Sequence, residues 1–346
     1  MSKGRASSPS PRILDAGRRS GWVLVLWAAA LVAMWIALRG IPLGEVVAAL
    51  SVLGPAQVAL ILVVNAGVVV ALSCRWWVIL RVRGHHVPLL SIAAYRLAAF
   101  SVSYFTPGTH VGGEPLQVYL LSRRQGIAAG EAAASVLLDK AIEVIANSVF
   151  LLFGVSVMLS LGLVAGAAGP RLVAASLGLA AAPIVYAAAL WRGARPLAGA
   201  LAWAARRWSA LESAARLAGE AEEAVVDFCR RSPIGLGYGL LFSALSWAVL
   251  VGEYGLMLMF LGIPLDWAGT VAALTAGRLA MLVPLPGALG VLEASQVLAL
   301  SALGYRPAQG IGLAFLIRAR DVLFGVTGLA FGAWLAGRKE GPIQPA

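Results

Sequence analysis

Six basic and six acidic side chains lie within or at the edge of stretches apolar enough to sit in lipid: Arg75, Arg96, Lys140, Arg278, Arg318 and Arg320 against Glu114, Asp139, Glu143, Glu253, Glu293 and Asp321. Even on a lenient insertion scale an unpaired charge at mid-bilayer costs about 2.5–3.5 kcal/mol, so these groups are expected to face inward and neutralise one another. Such a set can recognise a charged group passing between helices, or it can simply lock helices together. Covalent chemistry has less to work with. Asp139 and Glu143, at i and i+4, share one helix face and could hold a metal, but Lys140 lies beside them and no His or further acid is near. No catalytic residue, metal or cofactor is therefore expected.

The charges are arranged around a motif that occurs twice. Pro107-Gly108-Thr109-His110-Val111-Gly112-Gly113-Glu114 returns 179 residues later as Pro286-Gly287-Ala288-Leu289-Gly290-Val291-Leu292-Glu293. Counted from the motif proline, Arg75 stands at −32 and Glu253 at −33, Arg96 at −11 and Arg278 at −8, both motif glutamates at +7, and Asp139 and Arg318 at +32. Pro-Gly breaks the helical ladder, and Gly112, Gly113 and Gly290 extend the break; at membrane depth this is tolerated only where protein or a water-filled cavity supplies partners. Broken segments in corresponding positions of two halves point to a transport pathway. The half-helices after Gly108 and Gly287 would offer free N–H groups and positive dipole ends to an anion. Arg96 and Arg278 would complement that anion's charge, and Glu114 and Glu293 would pair with these arginines when the site is empty, or contact an amine or sugar. Asp139, Lys140, Arg318 and Arg320 complete the candidate binding set. His110 is either a pH-sensitive group or a loop residue satisfied by backbone, and Leu289 in the second copy shows that the motif does not require an imidazole.

The elements that must position these residues follow from composition. The chain of 346 residues is 60% hydrophobic and 12% charged, with mean hydropathy +0.86, which predicts an all-α polytopic membrane protein. At roughly 20 apolar residues per crossing, full spans fall at about 22–38, 56–80, 131–161, 171–191, 233–262 and 308–336, and two broken hairpins at about 90–122 and 268–304. The second arm of the first hairpin, residues 113–122, is only ~15 Å long at 1.5 Å per residue against a core of ~30 Å, so the hairpins are read as re-entrant. Loops assigned to the cytoplasm carry 18 Lys and Arg against 3 on the other side, which places both termini inside. Three crossings then separate the hairpins, so the halves, about 56–161 and 233–336, form an inverted repeat within one membrane domain, 22–336. Residues 1–21 read as a disordered basic terminus and 337–346 as a cytoplasmic tail.

The net charge of +11 is explained by this loop bias rather than by nucleic acid, since the bases are not gathered beside aromatics on a soluble domain. Residues 195–231 have helical periodicity, with Trp203, Trp208, Leu211 and Leu217 among Arg206, Arg207, Arg216 and several glutamates, and predict an amphipathic helix on the inner leaflet. Cys74 and Cys229, both near segment ends placed in the cytoplasm, predict no disulfide.

The first motif with its trailing Leu120-Leu121-Ser122-Arg123-Arg124-Gln125-Gly126 and Leu138-Asp139-Lys140, together with Val283-Pro284-Leu285 and the second motif, resembles the lysylphosphatidylglycerol synthase transmembrane domain family, also described as flippase-like. The likeness covers about residues 20–336. The family usually has Arg where Lys140 stands and a further Gly where Ala288 stands. The resemblance implies an integral membrane domain of about eight hydrophobic segments that moves lipids between leaflets in a cell membrane. Bifunctional members add a large soluble aminoacyltransferase domain, and only about ten residues follow the last span, so aminoacyl-lipid synthesis is not expected. The leading reading is a lipid translocase for a phospholipid-type headgroup, anionic or zwitterionic. A small-solute or ion transporter fits the repeat equally well, and a membrane-embedded transferase would need more than Asp139 and Glu143. No nucleotide-binding loop points to ATP use, and the sequence leaves the oligomeric state open.

Overall fold

The computed structural model describes residues 53–105, 112–164, 168–282, 288 and 290–337. The segments 1–21 and 22–38, the residues Gly108, His110 and Gly287, and the tail after Gly337 lie outside the described residues. Among those described there are eleven α-helices, one 3-10 turn and no strand.

In the first half, α1 (Pro55–Val82) leads to a hairpin of α2 (Leu89–Phe105) and α3 (Glu114–Gln125), and α4 (Ala129–Ser160) returns. After α5 (Ala168–Trp191) come α6 (Pro196–Ala205), a 3-10 turn (Ser209–Leu211) and α7 (Glu212–Arg231). The same order of long and short helices follows in the second half: α8 (Pro233–Phe260), the pair α9 (Trp267–Ala280) and α10 (Val291–Ala302), then α11 (Pro307–Gly337). Local chemistry sets the boundaries. Prolines open α1 and α8 at positions that need no donor, the Asp266 side chain accepts from Gly269 N at 2.8 Å to start α9, and left-handed Gly126 ends α3.

Length separates two kinds of helix. Those of 28–32 residues, α1, α4, α8 and α11, measure roughly 42–48 Å. Among the described residues α1, α4 and α8 are long and apolar enough to cross a bilayer. The hairpin arms have 17, 12, 14 and 12 residues, so each is shorter than the ~30 Å hydrocarbon core.

Contacts pair up across the halves. α1 packs on α8, each hairpin's arms pack on one another, and each second arm packs on the long helix that follows it. Each first arm crosses the long helix of the opposite half, α2 on α11 and α9 on α4. α1 and α8 run antiparallel: Asn65 donates to Glu253, a Cβ at Gly67 would meet Val249, and Arg75 donates to Ser243 at 3.1 Å, so numbers rise on one helix as they fall on the other. Where the first arms cross, a hydroxyl meets a glycine. A Cβ on Gly328 would sit 2.1 Å from the Ser101 hydroxyl and from Leu97 O, and one on Gly154 would sit 1.9 Å from the Thr275 hydroxyl. Helices in lipid gain little from apolar contact alone, and such small-residue seams allow their backbones to approach.

Each half has its own core, Trp76, Leu80, Ile92, Tyr95 and Leu121 in the first and Met257, Leu258, Leu274, Leu300 and Leu313 in the second. Residues 195–231 differ from the expected single amphipathic helix. The chain breaks at Arg206–Trp208 into two helices of opposite character. The apolar face of α7 is covered by protein, with Val225 and Phe228 against Ile79, Leu138 and Ile142, whereas α6 buries no residue at all. The periodicity of α7 was thus a signal of tertiary packing, not of lipid contact.

Candidate functional site

The twelve membrane charges separate by burial. Arg75, Asp139, Glu253 and Arg318 are sealed, with side chains 0–7% exposed, while Glu114, Lys140, Glu143 and Glu293 remain 22–38% exposed. The sealed groups are held by several bonds each. Arg75, flanked by Trp76 and Trp77, is buried, and donates to Asp139 from Nε at 2.7 Å and Nη2 at 3.2 Å, to Glu143 at 3.1 Å and to Ser243 at 3.1 Å. Arg96 on α2 reaches the same Asp139 carboxylate at 2.7 Å and lies 5.6 Å from the Trp76 ring. One carboxylate therefore joins α1, α2 and α4. In the second half Arg320 plays the joining role, pairing with Glu253 at 3.1 Å and Asp321 at 2.8 Å, while Asn65 of α1 caps the other oxygen of Glu253.

The motif glutamates do not pair with the arginines assigned to them from the sequence. Glu114 meets Lys140 at 3.3 Å and accepts from Gly112 N at 2.7 Å. Glu293 grips Arg318 through both oxygens, and Arg318 also donates to Ala288 O at 3.2 Å. Each glutamate sits in the first turn of a second hairpin arm, which packs on its own long helix, so the reachable base is the one at +33 or +32, not the arginine of the first arm. The two clamps are counterparts of each other.

Arg278 is the exception in the set. Among the described residues no carboxylate lies within 4.0 Å of it; its guanidinium stands 5.0 Å from the Trp247 ring, which in turn stacks on Phe150 at 4.0 Å. The charges of Arg320, Asp321, Glu253 and Glu143 reach it without contact. Glu143 also contacts Arg75 and Lys140, so Arg278 stands where the charge networks of the two halves meet.

Backbone geometry at the breaks explains the glycines. Gly112 and Gly290 have φ of +133° and +79°, which side chains rarely tolerate. Gly113 lies against α2, where a Cβ would fall 2.2 Å from Ala99 O, and its N–H donates to Ser103 at 2.9 Å. Ala288, at φ +50°, carries the conformation without being glycine. Sequence reading passed over Gln117 and Gln296, both buried and both at +10 from the motif proline. Gln296 bonds the Tyr254 hydroxyl of α8. The repeated Glu-x-x-Gln, one turn of one helix face, was the available signal. Among the described residues no group of three His, Cys, Asp or Glu could hold a metal, and the Asp139–Glu143 pair is occupied by arginines and lysine.

Long apolar helices broken by paired charged hairpins define a polytopic helical membrane protein. The chain belongs to the family of lysylphosphatidylglycerol synthase TM regions, whose profile matches residues 22–328, and so to a lipid-related membrane family. Neither the curated proteins nor the solved structures give a match.

Proposed function

We propose that the protein is a translocase that passes a phospholipid-type headgroup, anionic or zwitterionic, across the cell membrane between two re-entrant hairpins, without acting as an enzyme. The observation that carries this reading is the contrast within the charge set. Sealed pairs such as Arg75–Asp139 suffice to lock helices, so a purely structural role leaves the half-exposed row unexplained. Arg278, which has no ion pair among the described residues, offers a cation to a phosphate, and Glu143, Lys140, Glu114 and Glu293 offer exchangeable contacts along the way. Partial exposure is what a charged passage between lipid-embedded helices needs. The inverted repeat is supported by the antiparallel α1–α8 pair and by the matched hairpin contacts, and the loop charges support cytoplasmic termini.

The test is scrambling of fluorescent anionic and zwitterionic lipids in proteoliposomes. The wild-type protein should accelerate exchange of at least one lipid class over vesicles holding an unrelated membrane protein. No acceleration of any lipid, with release of a trapped small solute instead, would reject the reading in favour of a solute transporter.

A further inference from the structure

Helix α6 is built of Pro196-Leu197-Ala198-Gly199-Ala200-Leu201-Ala202-Trp203-Ala204-Ala205, apolar throughout, yet none of these residues is buried. Trp203 is 72% exposed, and Trp208, just beyond its end, 62%. A water-facing helix of this composition would have no polar face to solvate it. It is nevertheless fixed in place. The Glu222 carboxylate of α7, itself fully buried, accepts from Leu197 N at 2.8 Å and Ala198 N at 3.1 Å in the first turn, and from the Tyr186 hydroxyl of α5 at 2.7 Å. The protein thus holds an apolar helix by one edge against α7, where a Cβ on Gly219 would lie 3.6 Å from Ala198, and leaves its other face, with Leu197 and Trp203, uncovered. Ten residues make ~15 Å, too short to span.

Charge specifies what covers it. Arg192 and Arg195 precede α6 and Arg206 and Arg207 follow it, and residues 192–231 hold seven bases against five acids. A cleft of about 520 Å³ lies between α6 and α7, lined by small residues including Gly199, Ala202 and Gly219 and by Arg195 and Arg216 beside Glu220 and Glu223. Arg195 is tied only by an exposed pair with Glu223 at 3.0 Å, an interaction weak enough for a phosphate to replace. We propose that α6 lies in the headgroup layer of one leaflet as an interfacial anchor, and that the Arg195–Arg216 cleft seats an anionic phospholipid. Indoles at the interface, snorkelling guanidiniums and a dry helix face are the features such contact requires. This platform stands apart from the hairpin site and does not depend on lipid translocation.

The test uses the full chain in nanodiscs of zwitterionic lipid and of zwitterionic lipid mixed with phosphatidylglycerol, with Cys74 and Cys229 replaced by Ser. A spin label at Trp203→Cys should be more accessible to oxygen than to an aqueous nickel chelate, and one at Glu212→Cys the reverse. After detergent extraction, native mass spectrometry of the wild-type protein should retain phosphatidylglycerol over phosphatidylcholine by at least about tenfold, and the Arg195→Gln, Arg216→Gln variant should lose that preference while keeping the nitroxide depth at 203. Equal nickel access at 203 and 212 would overturn the proposal, as would a wild type without preference or a variant that keeps it.

Discussion

Replacing Asp139 by Asn tests whether the sealed charges act as locks. The Asp139 carboxylate receives three charge-assisted bonds, two from Arg75 and one from Arg96, with almost no access to solvent. Asn keeps the shape but presents one oxygen and a competing NH2 donor, and it leaves two guanidiniums sharing Glu143, already engaged by Lys140. Breaking a buried pair from one side costs about 3–5 kcal/mol, mostly as the penalty of an uncompensated charge. Glu114→Gln removes a contact between partly exposed groups and should cost no more than about 1 kcal/mol. Unfolding in an SDS titration, or loss of the monodisperse fraction on heating in detergent, would measure both. Asp139→Asn should be far less stable than Glu114→Gln. Equal stability of the two variants would refute the division into sealed and exposed charges.

The hydroxyl–glycine crossings predict unlike rescues: Gly154→Ala and Gly328→Ala should each destabilise by about 1–3 kcal/mol through overpacking, yet Thr275→Ala, which removes the hydroxyl at 1.9 Å and leaves only its own Cβ at 2.9 Å, should recover most of the loss at the first alone. Removing the Ser101 hydroxyl cannot rescue Gly328→Ala, because the Leu97 carbonyl also stands 2.1 Å from the new Cβ; rescue there, by the same stability assay, would contradict the packing. Ala288→Gly should stabilise the protein by about 0.5–1 kcal/mol, since it relieves a left-handed Ala at some entropic cost in the unfolded chain, and a lower unfolding midpoint would count against the strain. Labelling of single cysteines in intact cells should find His86→Cys on the cytoplasmic side and Trp267→Cys outside; the same side for both would end the inverted repeat.

Much of this arrangement was legible because lipid imposes strong rules. Apolar runs marked α1, α4 and α8 within a few residues, and Pro-Gly with further glycine marked both breaks, because in a bilayer every lost backbone bond needs a local reason. The matched offset of +7 also marked Glu114 and Glu293, which both open a second hairpin arm and both meet a base on the long helix that follows. The pairing of charges was not legible, because it depends on which helix packs beside each arm: offset alone could not reveal that Glu114 reaches Lys140, or that Asp139 serves both Arg75 and Arg96. The partners of Arg75 were hidden for the same reason: Trp76 beside it is fully buried and bonds Ser135 at 3.3 Å, and Arg75 turns inward to Asp139. Periodicity likewise described α7 correctly as one-sided, without saying that the covering surface is α4.

The central claim is that Arg278 meets the passing headgroup. Arg278→Gln removes no ion pair seen among the described residues, so folding stability and protein recovery should stay at wild-type levels. Loss of a charge-assisted contact of about 1.5–3 kcal/mol, at 1.36 kcal/mol per decade, should slow lipid scrambling in proteoliposomes by about 10–160-fold. Wild-type scrambling rates from the Arg278→Gln protein would contradict the account.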